Sequence, residues 1–150
     1  MTRYLGVDPG TRRVGLAVSD ATGLLATPLE VVGRPAVVKR IAELAIQYEV
    51  GGLVVGLPTA LSGEEGASAQ DARELGAELA AETGLPVIFV DERFTSRIAE
   101  ETLIESGMRR RKRRQELDKA AATLLLQGFL DGLAKRGTTG QADTFWTSSE

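Results

Sequence analysis

The sequence predicts an α/β domain on a five-stranded mixed sheet, three antiparallel strands followed by two parallel ones, with helices on both faces. Three observations lead there. Two apolar runs near the N-terminus, Tyr4-Leu5-Gly6-Val7-Asp8 and Val14-Gly15-Leu16-Ala17-Val18-Ser19, are separated by a tight turn from Pro9 to Arg13, the pattern of a hairpin. Two later runs, Gly52-Leu53-Val54-Val55-Gly56-Leu57 and Val87-Ile88-Phe89-Val90, are continuously apolar, as strands covered on both sides are. The segments around them carry apolar residues at helical spacing. At 150 residues the chain suits one domain with a full core.

Each element has a local reason. Asp20-Ala21-Thr22-Gly23 places Asp at the first and Gly at the fourth position of a type I turn leading into a third strand over 24–32. Pro28 cannot donate to a ladder, so that strand belongs at an edge or at a bulge. A helix is expected over 35–49, with Pro35 in its first turn and Val38, Ile41, Ala42, Ala45 and Tyr48 on one face. The loop from Pro58 to Gly66 precedes a helix over 67–83, whose core candidates are Ala69, Ala72, Leu79 and Ala80 and which Gly84 and Pro86 stop. A shorter helix is expected to begin near Thr95, whose hydroxyl can cap it, and a last helix to cover 115–135. Residues 1–136 form the expected domain. Residues 137–150 read as a polar, flexible tail, with Phe145-Trp146 as an anchor candidate. The order β-β-β-α-β-α-β-α-α is the ribonuclease H-like arrangement.

Composition restricts the chemistry. The chain has no histidine and no cysteine, which excludes imidazole and thiolate catalysis and a zinc site on those ligands. Chemistry then falls to carboxylates holding a hard cation such as Mg²⁺ or Mn²⁺ on oxygen. No apolar run approaches the ~20 residues that cross a bilayer, no signal peptide is recognisable, and the lack of cysteine suits a reducing compartment, so a cytoplasmic location is expected. The net charge of −3 hides an asymmetry. Arg109, Arg110, Arg111, Lys112, Arg113 and Arg114 form one run, and without it twelve basic residues face twenty-one acidic ones. An acidic body with one concentrated basic segment suits an enzyme with a handle for a polyanion, nucleic acid above all. The plainer reading is a solvated charged loop.

Three acidic positions stand among apolar neighbours. Asp8 ends the first strand. Asp91 and Glu92 end the last parallel strand, and alternation sends their side chains to opposite faces, so one of the two meets the site. Asp118 shares a helical stripe with Ala122, Leu125 and Phe129. An acid there is costly to desolvate unless a metal or an arginine, Arg93 or Arg13, meets it. Each also has a structural reading: Asp8 as a turn residue, Asp91 or Glu92 as a helix cap, Asp118 as a favourable charge near a helix start.

Four stretches together resemble the YqgF/RuvX family of small bacterial proteins, described as Holliday-junction resolvases and as nucleases maturing the 5′ end of pre-16S ribosomal RNA. They are Gly6-Val7-Asp8-Pro9-Gly10-Thr11-Arg12-Arg13-Val14-Gly15-Leu16-Ala17-Val18-Ser19-Asp20, Val55-Gly56-Leu57-Pro58, Asp91-Glu92-Arg93-Phe94-Thr95-Ser96, and Asp118-Lys119-Ala120-Ala121-Ala122 with Leu125-Leu126-Gln127. The resemblance implies a metal-dependent nuclease site at Asp8, Glu92 and Asp118, holding one or two Mg²⁺ or Mn²⁺ ions. By analogy it selects Glu92 over Asp91. RuvC resolvases carry two aspartates three residues apart on the last helix, whereas here Ala121 follows Asp118 at that spacing, leaving three ligands instead of four.

Around that site Arg93, Thr95 and Ser96 are placed to grip a phosphate at a strand end that opens a helix. Arg13 serves likewise or pairs with Asp20. The cationic run at 109–114 would follow the backbone of structured RNA or branched DNA. Resolution of a four-way junction needs two active sites and hence a homodimer, which RNA end trimming does not. A phosphotransferase of the actin and sugar-kinase type also begins with Asp-x-Gly-Thr but needs two such domains. The remaining alternative is a catalytically silent nucleic-acid-binding or regulatory module.

Overall fold

The computed structural model describes residues 2–10, 12–58, 66–91, 110–139 and 146–149, with side chains of the last helix described over 120–134. Strands β1 (Tyr4–Pro9), β2 (Arg13–Ser19) and β3 (Ala26–Gly33) form the antiparallel meander. A 3-10 turn (Arg34–Ala36) leads into α1 (Val37–Gln47), then β4 (Gly52–Leu57), α2 (Ala67–Thr83), β5 (Val87–Asp91), α3 (Arg110–Thr139) and β6 (Trp146–Ser149). The sheet order is β3-β2-β1-β4-β5-β6, with β4 parallel to β1 and to β5. The expected five-stranded mixed sheet is therefore present. Among the described residues no helix is long and apolar enough to cross a membrane.

Pro28 acts in both of the ways expected of it. β3 is an edge strand, and its pairing with β2 shifts register so that Leu16 faces Glu30 while Ala17 faces Pro28. The preceding turn closes with the Gly23 N–H donating to the Asp20 carbonyl at 3.0 Å, with Gly23 at φ 73°. The Asp20 carboxylate accepts from the Thr22 hydroxyl at 2.8 Å and from the Leu24 N–H at 3.1 Å. These bonds, the hydroxyl first, hold its pKa below the ordinary carboxylate value. Arg13 lies at the far end of β2, seven residues or roughly 23 Å away at strand spacing, so the alternative pairing of Arg13 with Asp20 does not form.

The pleat divides the interior into two cores. Leu5 and Val7 of β1, Leu53, Val55 and Leu57 of β4, and Val87 and Phe89 of β5 pack against α1 and α2. Ala17, Val54 and Val90 point the other way, onto Ala122, Leu125, Leu126, Phe129 and Leu130 of α3. β4 is buried along its whole length, as its unbroken apolar run requires. In α1 the buried residues are Val37, Ile41, Leu44 and Ala45; of the expected face Ile41 and Ala45 are buried and Val38 and Tyr48 pack half-buried against the same core, while Val37 and Leu44 widen it on one side. Leu75 joins Ala69, Ala72 and Leu79 in α2, and Gly84 ends that helix at φ 71°.

Two boundaries differ from expectation. α3 begins at Arg110, not near residue 115, so most of the cationic run is helical. Arg and Lys are strong helix formers, and that propensity outweighs like-charge repulsion of a few tenths of a kcal/mol per pair. The region expected to be a loose tail supplies β6, which pairs antiparallel with β5 through Val90 opposite Trp146 and Val87 opposite Ser149. A polar sequence can form this strand because backbone groups of the otherwise open β5 edge do the pairing. The short helix expected near Thr95 lies outside the described residues.

Across the sheet edge, Arg40 of α1 grips Glu30 of β3 with two bonds of 2.8 Å from Nε and Nη2. This bidentate bond to Arg40 holds the Glu30 carboxyl below its ordinary value of 4.5. A depressed carboxyl stabilises the fold at pH values above that of the unfolded chain, and its contribution disappears as pH falls through the folded value. Because both side chains are about one-third exposed, Glu30→Gln should cost no more than about 1 kcal/mol at pH 7. In urea titrations that gap should close towards pH 3; a constant gap would show that the ion pair contributes nothing.

Candidate active site

Asp8 sits one residue from the end of β1, where the parallel strands open at their carboxyl edge. It is in phase with Tyr4 and Gly6. The Tyr4 ring meets Phe129 edge-on at 4.9 Å between centroids, and a Cβ on Gly6 would lie 2.9 Å from Leu126 Cβ and 3.2 Å from the Ala122 carbonyl. By alternation the half-buried Asp8 side chain therefore faces the α3 side of the sheet. Its partner on β2 is Gly15, and the register of β1 with β4, continued one step beyond Val7 and Val55, places Gly56 on its other side. Both glycines share the α3 face. The carboxylate is thus flanked on the sheet by two residues without side chains.

The same contacts give the direction of α3. Phe129 lies over Tyr4, and Leu126 and Ala122 over Gly6, so the helix runs opposite to β1. Two strand residues from Gly6 to Asp8 advance roughly 6.7 Å. Four helix residues from Ala122 back to Asp118 advance roughly 6 Å. For a helix aligned with β1, these rises bring the backbone at residue 118 towards the level of Asp8. Ala121, three residues after Asp118, is buried at 1% exposure.

The phase of β5 resolves the choice between neighbours as far as Asp91 is concerned. Val87 and Phe89 pack on the α1–α2 side, and Asp91 continues that phase, so it stands on the face opposite Asp8. Glu92, Arg93, Thr95, Ser96 and Arg109 lie outside the described residues. Arg110, Arg111, Lys112, Arg113 and Arg114 occupy the first turns of α3, on the same rod as Asp118 and a turn or two beyond it. Arg13 opens β2 in phase with Gly15, which sets it on the Asp8 face at the same edge. The turn between them depends on Gly10, since a Cβ there would fall 2.4 Å from the Arg13 carbonyl oxygen. Among the described residues no three acidic side chains gather closely enough to hold an ion; of the three proposed ligands only Asp8 has its side chain described.

Sequence reasoning passed over Gly15 and Gly56, whose relation to Asp8 appears only with strand register. It also passed over Arg34, which ties the end of β3 to α2. Arg34 donates from its backbone to the Arg12 carbonyl at 2.9 Å and from Nη2 to Asp71 at 2.9 Å, and its buried Nη1 has no hydrogen-bond partner among the described residues.

An acidic residue at the carboxyl edge of a central strand, opposite a helix on a sheet of this order, defines the ribonuclease H-like class. A family model described as "RuvX: Holliday junction resolvase" matches residues 2–132, and the chain belongs to this family. A protein of Pelotomaculum thermopropionicum is 47% identical over 86% of this chain and 86% of its own length. One of Moorella thermoacetica is 43% identical over 90% and 99%, and one of Lactococcus lactis 41% over 88% and 96%. All three bear the description "Putative pre-16S rRNA nuclease". Among solved structures, RuvC of T. thermophilus in complex with Holliday junction substrate superposes with a TM-score of 0.55 at 22% identity, covering 92% of this chain and 98% of that one. A second Thermus thermophilus RuvC structure gives 0.52 at 18% identity over 99% and 100%. The likeness to RuvC is one of fold.

Because the Leu126 side chain and the Ala122 carbonyl fill the space over Gly6, Gly6→Ala should destabilise the protein by about 1–3 kcal/mol through overpacking. Thermal unfolding checks this, and an unchanged midpoint would mean that α3 yields without cost.

Proposed function

We propose that the chain is a divalent-metal-dependent nuclease that hydrolyses phosphodiester bonds of structured nucleic acid. The observation that carries this reading is the placement of Asp8, between two glycines at the carboxyl edge of the sheet, on the face that α3 covers. Asp8, Glu92 and Asp118 would hold Mg²⁺ or Mn²⁺, one ion or two; an all-oxygen donor set is the kind such hard cations prefer. The position of Asp91 on the opposite face supports Glu92 as the third ligand, because strand alternation favours the next residue for the side of Asp8. When bound there, divalent ions activate water and stabilise the leaving oxygen of the phosphodiester.

The chain's own residues do the remaining work. Gly15 and Gly56 keep the sheet clear beside Asp8. Arg13, Arg93, Thr95 and Ser96 contact phosphates at the edge, and the cations at 109–114 hold the backbone of the bound strand. The relatives at 41–47% identity favour precursor 16S RNA, cut near its 5′ end, over a four-way DNA junction. Ala121 supports the same preference, since it removes the second helix acid of the RuvC pattern. The protein is expected to act in the cytoplasm, and RNA trimming does not require the homodimer that junction resolution would.

The test is cleavage of 5′-extended 16S precursor RNA and of four-way junction DNA with Mn²⁺, with Mg²⁺ and with chelator. Asp8→Asn and Asp118→Asn should each reduce cutting to background while RNA binding persists. Mutants that cut as well as wild type would refute the assignment, and binding without cleavage under any metal would make the protein a silent binding module.

Replacing Arg110, Arg111 and Lys112 with Ala should weaken RNA binding and flatten the slope of log K against log salt by about 2, at roughly 0.7 per phosphate contact on single strands. An unchanged slope would remove the cationic run from the interface.

A further inference from the structure

We infer that Gln127 is a positioning residue that fixes the place of α3 along the sheet, and with it the place of Asp118 relative to Asp8. Its consequence for catalysis rests on the nuclease reading above. Gln127 Oε1 accepts from the Ala26 N–H at 2.9 Å, and Nε2 donates to the Leu24 carbonyl at 2.9 Å and to Asp131 Oδ1 at 2.9 Å. Leu24 and Ala26 are two residues apart where the turn enters edge strand β3. The side-chain amide therefore pairs with this backbone much as a neighbouring strand would, satisfying one donor and one acceptor together. Asp131, one helical turn further on, fixes which end of the amide carries nitrogen, because an ionised carboxylate only accepts. A reversed amide would set oxygen against two oxygens.

These bonds matter because the described core contacts of α3 are mostly apolar and carry little direction, the edge-on Tyr4–Phe129 pair apart. Ala122, Leu125, Leu126, Phe129 and Leu130 bury apolar surface that changes little when a helix slides or turns by a fraction of an ångström. Gly6 sets how close the helix comes. Gln127 sets its axial and rotational position. From Gln127 to Asp118 the helix is a rod of roughly 13.5 Å, so a displacement at one end reaches the other undiminished. Ligands that share a metal ion must be held to within about 0.5 Å, which apolar packing alone does not guarantee.

The chain lacks cysteine, so labelling at introduced cysteines is clean. Nitroxides at Ile46→Cys on α1 and Leu124→Cys on α3, both exposed and on opposite sides of the sheet, report the helix position by pulsed electron paramagnetic resonance. Gln127→Ala should shift or broaden the distance distribution and weaken Mn²⁺ binding, titrated without nucleic acid, by about tenfold. Gln127→Glu preserves side-chain volume and the acceptor for Ala26 but loses the donor for Leu24, so it should move both readings in the same direction should the alanine variant not fold. Folded variants with unchanged distances and unchanged Mn²⁺ affinity would overturn the inference. A wild-type protein that binds no Mn²⁺ would sink the nuclease reading instead, and the distances alone would then decide the role of Gln127.

Discussion

The approach of α3 to β1 across Gly6 controls what can be built on that side of the sheet. With Cβ space only 2.9 Å from Leu126, the helix rests almost directly on the strand backbone. The close contact brings the preceding turn of helix down towards the strand end, where Asp8 stands. A larger residue at position 6 would raise the helix and widen the gap between the two acidic positions. The pleat does the rest, since the parity that points Tyr4 and Gly6 at α3 points Asp8 there too.

The two faces of the sheet consequently have different duties. The α1–α2 face is a conventional core of large aliphatic side chains, with Leu5, Leu16, Leu53 and Phe89 fully buried. The α3 face is built from smaller residues near the carboxyl edge and larger ones, such as Tyr4 and Phe129, at the other end. The described packing of α3 on the sheet therefore runs from Ala122 to Leu130.

Much of this could be read from the chain because local signals agreed. The bounds of β4 and α2 follow from an unbroken apolar run and from a helical stripe ended by Gly84. Pro28 announced an edge and a bulge, and both are there. What could not be read depends on distant partners. β6 pairs with the otherwise open edge of β5, a partner the local sequence does not reveal. The orientation of Asp91 is invisible until Phe89 is known to face α2. Asp8 stood out as a carboxylate at a strand end, whereas its two glycine neighbours come from other strands and needed the register. Gln127 was noticed only as part of a motif; its partners, Leu24 and Ala26, are about a hundred residues away.

The start of α3 shows how the charge distribution and the fold constrain each other. Five cations occupy helix positions where the macrodipole carries its positive end, an arrangement that disfavours them by some tenths of a kcal/mol each. No acidic residue in that first turn compensates. Helix propensity and the packing of the C-terminal half hold the element together against this cost. An anionic strand laid along the same turns would relieve it, and so would the carboxylate of Asp118 farther along.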